Sequence, residues 1–241
     1  MAIYTGVADA NGDFTVPFSS NYTGGQKVTV TAEKDAATKT IEIFAPSQVQ
    51  SAMIAFSGDS QNFPGNIGDV TININGAIGS DAMRSHSSNS SIWRRVTGLT
   101  ISEGVTSIGS YAFVDWAQSK FLLLPQSLTS LGNNAFQGWG NALSLVIPEG
   151  ISNIPAVCFS GWSSASSLDL PSSIQTIAGN AFQLWSSCLE IIVRATTPPS
   201  IVSTSFQSLN AACIFKVPAG SVAAYQAAPN WSAFASRIQA I

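Results

Sequence analysis

Between Val70 and Val217 the apolar positions fall into four series that keep one phase. Pairs two residues apart stand at Leu99/Ile101, Leu122/Leu124, Leu145/Ile147, Leu168/Leu170, Ile191/Val193 and Phe215/Val217, and most are followed by a proline (Pro125, Pro148, Pro171, Pro218). Two apolar side chains around one of any kind put the pair on one face of a short strand. The proline then ends the strand, because it has no N–H for a ladder. Tryptophans at Trp93, Trp116, Trp139, Trp162 and Trp185 each lie 23 residues after the last. Ala112-Phe113, Ala135-Phe136, Cys158-Phe159 and Ala181-Phe182 repeat at the same interval and continue, one residue late, at Ser205-Phe206. Ile108, Leu131, Ile154 and Ile177 make the fourth series. The pattern predicts coils, each a strand followed by a turn that returns further side chains inward. A single coil cannot bury its own face, but stacked coils share a core.

Val70-Thr71-Ile72 and Ile78-Gly79-Ser80 to Met83 match the later coils with one residue missing. About seven residues, Arg84 to Ser90, read as an insertion before Trp93, and insertions in repeat arrays map to loops. Ahead of the array, Val28/Val30/Ala32 and Ile41/Ile43/Ala45 alternate with polar residues, the pattern of half-buried strands. Phe14, Val16 and Phe18 give another short strand, and Asn11-Gly12 signals a hairpin.

A period of 23 lies within the leucine-rich-repeat range. The coils ISEGVTSIGSYAF, PQSLTSLGNNAF and PSSIQTIAGNAF resemble the treponemal, or BspA-type, leucine-rich repeats of bacterial surface proteins. The tail VPAGSVAAYQAAPNWSAFASRIQAI resembles the cap that follows such arrays. The family usually has cysteine where this chain has tryptophan, which implies a wider or differently closed coil. The segment GVADANGDFTVPFSSNYTGGQKVTVTAEKDAATKTIEIFAP resembles the second half of bacterial immunoglobulin-like modules of adhesins and phage tail fibres. The expected fold is mainly β with short helical turns, a leucine-rich-repeat solenoid preceded by a small antiparallel β module. Its divisions are a partial immunoglobulin-like module over 1–46, a linker and N-cap over 47–69, repeats over 70–214 and a cap with short helices over 215–241.

Composition narrows the function. The 241 residues carry a net charge of −3, with 45% hydrophobic and only 10% charged residues, against about 25% charged in an average protein. That balance excludes disorder, which needs the reverse. Ten Lys and Arg without a basic stripe argue against nucleic-acid binding. No apolar run reaches the ~18 residues of a membrane span, so no membrane insertion is expected. Met1 to Asp9 has neither the basic nor the apolar region of a secretory signal. Synthesis in the cytoplasm and release by lysis to a virion or extracellular surface is the expectation. Cys158, Cys188 and Cys213, an odd number inside apolar stretches, read as buried free thiols. No catalytic set, nucleotide motif, metal-ligand spacing or cofactor site is found. Asp9, Asn11 and Asp13 imitate only part of a calcium loop. Asn21-Tyr22-Thr23, Asn89-Ser90-Ser91 and Asn230-Trp231-Ser232 match glycosylation sequons. The tryptophan ladder, in phase with core positions, reads as core.

Two surfaces remain as candidates for binding. The residue between each inward strand pair points outward: Thr100, Leu123, Val146, Asp169, Ile192 and Lys216. Leu123 and Val146 are adjacent and apolar, so the row is either a contact surface or a face covered by the cap or the N-terminal module. The inserted loop brings Arg84 and His86 near Arg94 and Arg95, a cationic neighbourhood fit for an acidic sugar or phosphate or simply a solvated loop. The leading expectation is a non-enzymatic adhesin or receptor-binding protein, a phage-like tail-fibre or tip component that recognises a cell-surface glycan or protein. It would work beside other virion or fibre subunits as a homo-oligomer, with a trimer favoured. The alternatives are a self-assembling filament subunit and a polysaccharide hydrolase; the second lacks a converging carboxylate pair.

Overall fold

The apolar pairs form strands, and the strands stack in register. The computed structural model describes residues 68–85 and 92–241, together with the strand backbones at 14–15, 27–34, 37–44 and 53–56. In chain order these strands are β1 (Phe14–Thr15), β2 (Lys27–Lys34), β3 (Ala37–Phe44), β4 (Met53–Phe56), β5 (Gly68–Asn73), β6 (Gly76–Ile78), β7 (Val96–Ile101), β8 (Val105–Ile108) and β9 (Leu122–Leu123). There follow β10 (Ser130–Leu131), β11 (Ser144–Val146), β12 (Asn153–Ile154), β13 (Ser167–Leu170), β14 (Thr176–Ile177), β15 (Glu190–Val193), β16 (Ser200–Ile201), β17 (Ile214–Val217), the helix α1 (Val222–Ala227) and β18 (Ile238–Ala240).

Each coil contributes one strand to each of two parallel faces. On the first face β5, β7 and β9 pair in sequence, and β11, β13, β15, β17 and β18 pair in sequence. On the second, β6, β8 and β10 form one ladder and β12, β14 and β16 another. Both faces break between the coil that starts at Leu122 and the coil that starts at Leu145, where no ladder joins β9 to β11 or β10 to β12. β4 runs antiparallel to β5 and β1 antiparallel to β4, which extends the first face beyond the array. β2 and β3, the two alternating segments, pair with each other over eight positions and with no other described strand. The Asn11-Gly12 turn, Val16 and Phe18, the Asp9/Asn11/Asp13 set, the sequons at Asn21 and Asn89 and most of the 47–69 linker lie outside the described residues.

The core is a set of aromatic columns. Trp93, Trp116, Trp139, Trp162 and Trp185 stack face to face with ring centroids 5.2–5.8 Å apart and planes within 4–8°. Phe113, Phe136, Phe159 and Phe182 make a parallel column at 5.3–5.7 Å. Within a coil the two rings meet edge to face, the arrangement that sets a positive edge against a negative face. A buried indole N–H needs an acceptor, and the stack supplies one. Trp139 Nε1 donates to the Phe113 carbonyl, Trp162 to that of Phe136 and Trp185 to that of Phe159, at 2.7–2.8 Å. Each of these tryptophans therefore bonds its coil to the one before it.

Two residues per coil take left-handed backbone, at Tyr111, Asn134, Val157 and Asn180 and at Asp115, Gly138, Gly161, Leu184 and Ser208. The column ends in the cap. There Trp231 packs edge-on to Phe215 and donates its N–H to the Pro199 carbonyl. No helix among the described residues is long and apolar enough to cross a membrane.

Candidate functional site

Strand register builds the outer row. Thr71, Thr100 and Leu123 lie side by side on β5, β7 and β9, and Val146, Asp169, Ile192, Lys216 and Gln239 do so on β11 through β18. A second outward row runs two residues earlier through Gly98, Phe121, Ser144, Ser167, Glu190 and Ile214. Leu123 and Val146 are 56% and 63% exposed, so the cap does not cover them. They face each other across the break in the ladder.

The break holds a shallow cleft of about 160 Å³. Phe121, Leu123, Leu124, Val146 and Pro148 give it apolar walls, and Gln126 and Ser144 form its polar rim. The Phe121 ring lies directly against Gly98, where a Cβ would collide with it. Glycine at 98 thus lets an aromatic ring lie flat on the neighbouring strand. None of these lining residues is ionisable.

Charge is spent elsewhere on the face, in ties between coils. The Glu103 carboxylate accepts from the Gln126 and Ser127 amides at 2.8 and 3.0 Å. Glu149 accepts from the Ser172 amide and hydroxyl and from the Ser173 amide. The Gln126 amide, ahead of that of Ser127, holds the Glu103 carboxyl below its ordinary 4.5. The Ser172 amide and hydroxyl do the same for Glu149. Arg194 grips Asp169 through two bonds of 2.8 and 2.6 Å, so Asp169 is an ion-paired member of the row. The Asp169 carboxylate in turn pushes the guanidinium further up. Lys216 donates to Gln239 at 3.3 Å, while Thr100 and Ile192 are half-buried.

The cationic neighbourhood is only partly in view. Arg84 bonds Asp81 at 2.9 Å and lies over the Tyr111 ring, 4.8 Å from its centre. Arg95 is half-buried. His86 and the Arg94 side chain lie outside the described residues. All three cysteines are buried free thiols, and burial pushes the Cys158 thiol far up. Among the described residues no three His, Cys, Asp or Glu gather as metal ligands would.

Sequence reasoning missed Phe121, the cleft and the ties between coils. Alternation along the strand, carried two residues further back from Leu123, marks Phe121 as outward. The break leaves no mark on the 23-residue pattern.

The match to a family model agrees with the architecture. A model of the BspA type leucine rich repeat region matches residues 88–212 in six copies. No curated protein matches the chain. Among solved structures, a leucine rich cell surface protein from Faecalibacterium prausnitzii is 19% identical with a TM-score of 0.46, over 68% of this chain and 37% of that one. The T. pallidum leucine rich repeat protein is 16% identical with a TM-score of 0.44, over 62% of this chain and 77% of that one. A leucine-rich repeat protein from Eubacterium ventriosum is 16% identical with a TM-score of 0.42, over 69% of this chain and 52% of that one. This chain spans little more than a third of the Faecalibacterium protein's length. Its six repeat copies cover more than half of its residues, and the chain belongs to the BspA-type leucine-rich repeat family.

Proposed function

We propose that this chain is a non-enzymatic adhesin or receptor-binding protein whose outer strand face holds a cell-surface glycan or protein. One observation carries the reading: Leu123 and Val146 stand exposed over an uncharged cleft, on a row where Asp169 is ion-paired to Arg194 and Lys216 is bonded to Gln239. Apolar side chains exposed side by side on an otherwise polar surface usually mark a contact site. The F. prausnitzii structure is described as a leucine rich cell surface protein; for this chain the proposed location is a virion or extracellular surface. The finer proposal is a tail-fibre or tip component, joined as a homotrimer through the N-terminal strands. It rests on the likeness of residues 6–46 to half of an immunoglobulin-like module.

The β2–β3 hairpin pairs with no other described strand, which keeps a second reading in play. Exchange of that hairpin between copies would build an open filament instead.

Whole-cell and glycan-array binding by the wild type and by Leu123→Asp and Val146→Asp variants tests the site. Both changes are expected to abolish binding and to shift stability by under ~0.5 kcal/mol, as surface changes do. Unchanged binding in both variants would remove the strand face from consideration. Light scattering separates a closed trimer from a growing filament.

A further inference from the structure

Cys188 and Cys213 lie in neighbouring layers at the end of the stack, with sulfurs 3.8 Å apart. They belong to one column of small buried residues, Ser119, Ala142, Ala165, Cys188 and Cys213, all with no exposed surface. Parallel neighbours in such a column are spaced about 4.8 Å apart along the stack. That is inside the range of Cα separations a disulfide bridges without moving the backbone. We propose that Cys188 and Cys213 are a disulfide-forming site, oxidised by small-molecule disulfides, that ties the coil of Cys188 to the final layer, on which the C-terminal cap rests.

The chemistry is thiol–disulfide exchange. One cysteine thiolate attacks the small disulfide, releases one small thiol and leaves a mixed disulfide. The second cysteine attacks the protein sulfur of that bond and releases the second small thiol. The two thiol protons leave on the released thiols, and the electron pair passes into the sulfur–sulfur bond that broke.

Position makes the tie useful. Repeat stacks lose order from their ends, and Cys213 directly precedes β17, which carries the cap strand β18. Both sulfurs are buried, so the bond forms before the end of the stack closes or when it frays. Cys158 is the internal control. It sits in a different column, between Ala135 and Ala181, with no sulfur beside it.

The full chain is refolded with oxidised glutathione, and its free thiols are counted after denaturation. Three thiols should fall to one, that one mapping to Cys158, with an intact mass lower by about 2 Da. The bond closes a 25-residue separation, and Tm should rise by roughly 5–10 °C. Cys188→Ala places the column's own residue at the site, so it should fold and show no oxidant-dependent gain. Three remaining thiols, a glutathione adduct in place of the internal bond, or an equal gain in Cys188→Ala would each overturn the proposal.

Discussion

The junction between the coils beginning at Leu122 and Leu145 differs from its two neighbours on the surface: no charged side chain ties it. Glu103 ties the coil before it to Gln126 and Ser127. Glu149 ties the coil after it to Ser172 and Ser173, and Arg194 reaches back to Asp169 at the junction beyond. At the odd junction the equivalent residue is Gln126. Both strand ladders lapse there, and Gly150 lets the two backbones close up against the Leu128 carbonyl, where a Cβ would collide. The aromatic columns pass through without interruption, with Trp139 and Trp162 at 5.6 Å. The core thus repeats coil by coil while the surface ties and ladders lapse at this one junction, and the exposed apolar pair sits at the lapse.

The largest effect should come from cutting what still crosses that junction. Trp162→Ala removes a fully buried ring and the bond to the Phe136 carbonyl, at a cost of about 3–5 kcal/mol. Trp185→Ala should cost as much at a laddered junction. Urea titrations followed by circular dichroism should show two separate transitions for Trp162→Ala and one for Trp185→Ala, because weakly coupled repeats unfold independently. Single transitions in both would mean that the lapse in the ladder does not divide the stack.

A smaller effect tests the coil just past the junction. Val157 is β-branched yet has a φ of 60°, where the adjacent coils use Asn134 and Asn180. Left-handed backbone is unfavourable for a β-branched side chain and tolerated by asparagine. Val157→Asn should stabilise by about 1 kcal/mol, measured as a raised urea midpoint at unchanged slope.

The smallest effect repairs the junction. Gln126→Glu supplies a carboxylate for the Glu149 and Gly150 amides and should raise stability by about 0.5–1 kcal/mol, since such surface bonds are screened. The gain has a pH signature. Glu103 and Glu149 have carboxyls lowered by folding, so their contribution is full above the ordinary 4.5 and fades as pH falls through the lower folded values. Thermal melts should show the advantage of Gln126→Glu vanishing in that same acid window. A gain that persists in acid would assign the effect to something other than the new carboxylate.

The sequence made the repeated parts legible. The 23-residue interval located the tryptophans in the core, and alternation turned Leu123 and Val146 outward, because both depend only on period. The second strand face escaped, since β10, β12, β14 and β16 have two residues each and cannot display alternation. The Cys188–Cys213 contact was hidden because the spacing slips to 25 there and the pair falls out of phase. The junction at Gln126 was invisible for a different reason: one carboxylate fewer changes neither hydropathy nor period.

The five coaxial indoles have an optical consequence. Rings this close and this parallel exchange excitation faster than they emit, so light absorbed at any one of them spreads along the file. Their fluorescence therefore belongs to the row as a whole. Removing a middle member should split that shared emitter into two shorter ones, a change visible in polarisation before any unfolding is.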